Sequence, residues 1–208
     1  RPDVRTIIPL AVLLLATLSV LRRQRESFVL MLAVAAACWS VGTALWARGA
    51  AVHDVVVWWL AFLVLTIAGE RLELSRFMPP SVSARRWFAS IAAGLLLSLV
   101  GSLAQWWHAA PAGPWAAQGF GVALLALAGW LARYDVARRT VRQPGVTRYI
   151  ALCLLSGYVW LAVGGAVMAA EGLEPGRPTY DAALHALLLG FVFSMVFGHA
   201  PIVFPAVL

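Results

Sequence analysis

The sequence predicts an all-α fold, a polytopic transmembrane helical bundle, and three observations carry that prediction. Apolar residues make up 62% of the 208-residue chain, charged residues only 12%, and mean hydropathy is +0.84. Soluble chains carry roughly a quarter charged residues to coat their surface, whereas a lipid-facing exterior needs no such coat. Seven segments are apolar over about the length of a bilayer crossing, ~20 residues at ~1.5 Å each. They are apolar all round rather than alternating, which selects helices over barrel strands.

The seven spans follow one another with short joints. The first, 4–21, runs into Arg22, Arg23, Gln24, Arg25 and Glu26, and the second, 27–47, ends at Arg48 and Gly49. The third covers 53–70 and gives way to the charged stretch Glu70–Arg76, whose spacing suits i,i+3 and i,i+4 ion pairs. Pro79 and Pro80 precede the fourth, 84–107, and the Pro111–Pro114 turn precedes the fifth, 114–133. Gln143, Pro144 and Gly145 lead into the sixth, 148–170, and Glu174 through Pro178 into the seventh, 179–204. All seven are expected to form one domain over 1–208. The chain starts at Arg1 without a Met and stops at Leu208 inside an apolar run, as a fragment of a longer protein would.

Arginine sets the orientation. All sixteen cations are Arg, and twelve of them fall between spans 1 and 2, 3 and 4, or 5 and 6. Only Arg1, Arg5, Arg48 and Arg177 fall on the other side. The positive-inside rule places the twelve in the cytoplasm of a bacterial-type inner membrane, with the start of the chain outside. Trp46, Trp58, Trp106, Trp107 and Trp115 then sit near outer ends, and Trp87 and Trp130 near inner ends, as headgroup anchors do. The basic loops adjoin no nucleic-acid fold, so the expected partners are the lipid bilayer and its anionic headgroups, with further helices or partner subunits.

The composition also excludes chemistry. Without lysine there is no lysine Schiff base and no P-loop. Cys38 and Cys153 stand alone in apolar runs, which argues against a disulfide or a thiolate site. Motifs of soluble hydrolases, zinc proteases and dinucleotide enzymes are missing.

The four histidines are the informative residues. His53 opens span 3, His108 closes span 4 and His185 lies just inside span 7, so three gather at the outer face as candidate metal ligands. An ionisable group inside a membrane is a functional hypothesis by default. His185 and His199 are fourteen residues apart, about 21 Å along a helix and within ~40° of one face. That pattern makes both candidate cofactor ligands, and it predicts that span 7 is the most enclosed helix. Asp181, one turn before His185, is expected to accept its Nδ1 proton and orient the ring. Pro201 removes a helical hydrogen bond beside His199, so a kink is expected there.

The stretch from His185, Ala186 and Gly190 through Gly198 and His199 resembles the histidine-bearing helix of the NnrS family. That family comprises haem- and copper-containing membrane proteins linked to nitric oxide stress and reminiscent of haem–copper oxidase subunit I. The resemblance implies haem b or copper held by His185 and His199, in a redox or stress-response role. Where the family continues with Thr-Gly-Arg, this chain has Ala200, Pro201 and Ile202. Two other readings stand beside it: a small-molecule permease, for which Ser40, Thr43, Ser156 and Ser194 would line the path, and a non-catalytic subunit of a membrane complex.

Overall fold

The computed structural model describes the backbone of residues 4–23, 26–74, 81–108 and 114–207, and no strand occurs among them. Side chains of residues 4–11, 14, 105, 106, 108 and 205–207 lie outside the described set. The helices are α1 (Val4–Arg23), α2 (Ser27–Ala47), α3 (Val52–Leu74), α4 (Val82–His108), α5 (Trp115–Tyr134), a single turn α6 (Ala137–Thr140) and α7 (Val146–Glu171). The last span is built in three pieces: α8 (Pro178–His185), a π-helical segment (Ala186–Val192) and α9 (Phe193–Val207). Each expected span falls on helix. Six are long and apolar enough to cross a membrane, and α1 is a 20-residue helix over the first expected span.

The chain divides into two compact units, Arg1–Leu74 and Ser75–Leu208. In the first, α2 and α3 pack antiparallel. A Cβ on Gly42 would lie 2.7 Å from Trp58 Cβ, and one on Gly69 would lie 3.4 Å from Met31 Cβ. The close approach at Gly42 lets an aromatic cluster form, with Trp39 5.1 Å from Phe62 and 6.0 Å from Trp59 between ring centroids. Trp59 Nε1–H donates to Thr43 Oγ1 across 3.3 Å, which satisfies the indole in apolar surroundings. At the start of α3, Asp54 reaches back to the backbone N–H of Ala51 at 3.3 Å, the return half of a capping box.

The second unit centres on α7, which contacts α5 on one side and the last span on the other. Its glycines explain how. A Cβ on Gly121 would stand 2.7 Å from the Gly165 carbonyl, and one on Gly165 would stand 3.0 Å from the Gly121 carbonyl. The backbones of α5 and α7 therefore touch, as small residues permit between membrane helices. Leu124, Leu127, Leu131 and Leu161 fill the seam around them. On the other side, Leu187 packs onto Gly164 and Met195 onto Gly157, so a large residue meets a glycine at each step. α4 joins α5 through Trp130, whose Nε1–H donates to the Ala84 carbonyl at 2.8 Å. Ser81 caps α4 by accepting the Ala84 N–H at 3.2 Å.

Candidate functional site

The last span is the least enclosed of the six, which corrects the expectation that it is the most. Only 22% of its most apolar window is buried, against 28–56% for the others. The cause is its register on α7. Ala183, Leu187, Phe191 and Met195 form the buried stripe, while Leu189, Phe193, Val196 and Phe197 face outward. His185 lies two residues from both Ala183 and Leu187, about 200° around the helix, so it stands opposite the packed stripe and is exposed. His199 follows buried Gly198 by one residue, about 100° away, and is half-buried.

The π segment Ala186–Val192 separates the two histidines. Its hydrogen bonds span five residues instead of four, so a constant turn per residue does not connect His185 to His199. The ~40° same-face arithmetic fails for that reason. The helix then continues through Pro201 to Val207; the irregularity sits upstream of the proline expected to cause it. Gly190 lies inside the π segment, and Trp160 of α7 packs where its Cβ would be, 2.6 Å from Trp160 Cβ.

Both rings are fixed the same way. His185 Nδ1–H donates to the main-chain carbonyl of Asp181 across 2.7 Å, and His199 Nδ1–H donates to that of Met195 across 2.6 Å. A carbonyl can only accept, so the proton of a neutral ring sits on Nδ1 and the lone pair on Nε2. Asp181 thus orients His185 as expected in position but through its backbone, not its carboxylate. The same bond satisfies a ring that binds nothing, so it fixes the tautomer and leaves the ligand open.

His53 lies in the first unit, exposed, with Nε2 3.6 Å from Asp54 Oδ1, the carboxylate that caps α3. His108 ends α4, and its side chain lies outside the described residues. Among the described residues no group of three His, Cys, Asp or Glu is placed to hold a metal ion. Of the hydroxyls named for a permease path, Ser40 donates to the Ala36 carbonyl at 2.8 Å and Thr43 to the Trp39 carbonyl at 2.9 Å. Both bonds turn the hydroxyl back onto its own helix.

One polar cluster escaped sequence reasoning. Asp135 follows α5, is 7% exposed, and accepts the Ala137 N–H on Oδ1 at 2.7 Å and the Tyr158 O–H on Oδ2 at 2.9 Å. The sequence signal was available: Asp135 is the single acid in an arginine-rich joint, two residues before the α6 turn that it caps.

Two apolar helical units with all-round hydrophobic spans define a multi-pass α-helical membrane protein. Its membership is equally plain: the chain belongs to the family described as "Domain of unknown function (DUF8744)", which matches residues 3–208. No curated protein and no solved structure matches the chain.

Proposed function

We propose that this protein is an inner-membrane haem- or copper-binding protein with a redox or nitric-oxide-stress role, its start outside and its arginine-rich joints in the cytoplasm. The observation that supports it best is the shared arrangement of the last span's histidines. Each ring gives its Nδ1 proton to a carbonyl one turn back, at 2.7 Å for His185 and 2.6 Å for His199. Metal-ligating histidines commonly do so, which fixes the tautomer and raises the basicity of the other nitrogen. Neutral imidazole nitrogen suits iron and copper. Each histidine would supply one ligand to such a centre. When bound, haem or copper would supply one-electron or gas-binding chemistry, and this chain would hold and orient it. Full-length protein purified in detergent from haem- and copper-replete cells should show a Soret band that His185→Ala or His199→Ala removes. Protein carrying neither metal sinks the proposal.

The exposed face of the last span favours a second reading, a non-catalytic subunit. Leu189, Phe193 and Phe197 are 48–56% exposed on a helix that already packs on α7, leaving a large apolar face for another membrane helix. A stable partner crosslinking to a photoreactive residue at 193, in protein without metal, would decide for it. Failure to recover any crosslink would count against it.

A further inference from the structure

Between Leu131 and Tyr149 the chain carries five arginines and one acid. Arg133, Arg138, Arg139, Arg142 and Arg148 are all exposed, whereas Asp135 is buried and turned inward. Its two oxygens accept from the Ala137 N–H and the Tyr158 O–H, and none of the ion pairs formed among the described residues includes it. None of the ion pairs formed among the described residues involves Arg138, Arg142 or Arg148. The joint is ordered as well as basic: α6 buries Ala137 completely, and Asp135 ties its start to the middle of α7. Exposed rings accompany the charges. Tyr134 and Tyr149 are 37% and 49% exposed at the ends of α5 and α7, and the Arg133 guanidinium lies 5.8 Å from the Tyr134 ring centroid.

We propose that this surface is a binding site for the phosphate headgroup of anionic phospholipid, with the Asp135–Tyr158 hydrogen bond as its positioning element. Guanidinium forks match phosphate oxygens in two-point contacts. Tyrosine rings beside them, at the ends of membrane-length helices, lie at headgroup level and give the acyl chains an apolar edge. A basic segment at that depth draws anionic lipid from the surrounding bilayer. Burying the one acid removes the group that would compete for the arginines. The proposal is independent of the histidine reading.

The test uses the full chain reconstituted in phosphatidylcholine vesicles in which phosphatidylglycerol replaces a third of the lipid. Spin-labelled phosphatidylglycerol and spin-labelled phosphatidylcholine report how much of each is held against the protein. The native chain should select phosphatidylglycerol roughly two- to fivefold, an effect of the size expected for a few surface arginines, and lose selectivity as salt rises. The triple variant Arg138→Gln, Arg142→Gln, Arg148→Gln should bring the two lipids level. Tyr158→Phe keeps every arginine and should lower the selectivity part-way, because α6 loses its tie to α7. Equal retention of both lipids by the native chain overturns the proposal. So does displacement of phosphatidylglycerol by inorganic phosphate, which marks a free-anion site, or by a soluble acidic peptide or RNA, which marks a macromolecular one.

Discussion

Tyr158, twelve residues into α7, gives its hydroxyl proton to the carboxylate of Asp135 across 2.9 Å. Side chains on a helix lean toward its N-terminus, so the phenol points down α7 toward the joint where α5 ends. Asp135 completes the contact from an extended backbone conformation and passes its other oxygen to Ala137 N–H at 2.7 Å. Three elements meet at one carboxylate: the end of α5, the start of α6 and the middle of α7.

Breaking that junction should destabilise the second unit. Removing a partner from a buried polar group costs about 1–3 kcal/mol, so Tyr158→Phe should lower stability by about that amount. Asp135→Ala removes the acceptor for two donors at once and should cost more. Thermal unfolding in nanodiscs, followed by circular dichroism, measures both. A Tyr158→Phe variant as stable as the native chain would mean the bond adds nothing.

The Gly121–Gly165 crossing supplies a sharper contrast. A methyl on Gly121 would press into the backbone of α7, 2.7 Å from the Gly165 carbonyl and 2.8 Å from the Met168 carbonyl carbon. Backbone cannot step aside as a flexible side chain would, so Gly121→Ala should cost about 1–3 kcal/mol or more by overpacking. Gly129 lies two turns further along α5, with nothing within 4 Å of its Cβ position. Gly129→Ala should be neutral or stabilising by about 0.5–1 kcal/mol, the helix preference of alanine over glycine. Equal effects of the two changes would show that α5 and α7 do not meet at Gly121.

The spans were legible because hydrophobic length is nearly all a membrane helix requires. Ser27–Ala47 matches the expected 27–47 residue for residue, and Trp115–Tyr134 differs from 114–133 by one residue at each end. The histidine geometry was not legible. Reading His185 and His199 onto one face assumed an unbroken α-helix, and no residue type announces a π segment. The space beside Gly190, inside that segment, is filled by Trp160, thirty residues earlier in the sequence. Asp181 was placed correctly beside His185, yet sequence cannot tell a side-chain acceptor from a backbone one. The enclosure of span 7 failed for a related reason: two polar residues suggested a protein-facing helix, while Leu187 and Met195 seated in the α7 glycines determined which face turned inward.

The proposed orientation predicts opposite labelling of two joints. With Cys38 and Cys153 replaced by Ser, a cysteine at Arg142 should react with an impermeant maleimide only after the cytoplasmic face is opened. A cysteine at Glu174, exposed between α7 and α8, should react from outside in intact cells. The reverse pattern would invert the orientation and place the arginine joints on the outer face.

The π segment yields the last prediction. Ala183, Leu187, Phe191 and Met195 are buried at intervals of four residues. In a straight α-helix each such step drifts by about 40°, so the stripe would wind off α7 before reaching Met195. The π segment absorbs the surplus residue and keeps Leu187 over Gly164 and Met195 over Gly157. Leu189 is 52% exposed within that segment, so deleting it removes no packed side chain. The stripe would then recur at four, three and four residues, the spacing an α-helix lays along one face. The deletion variant should therefore keep its helix content and a thermal midpoint at or above that of the native chain. It would also replace the π backbone that begins directly after His185 with α-helical hydrogen bonding. If the haem or copper reading holds, the Soret band or copper content should fall while the fold survives, as expected where a π turn serves a ligand site. Unfolding on deletion would instead show that packing itself requires the π geometry.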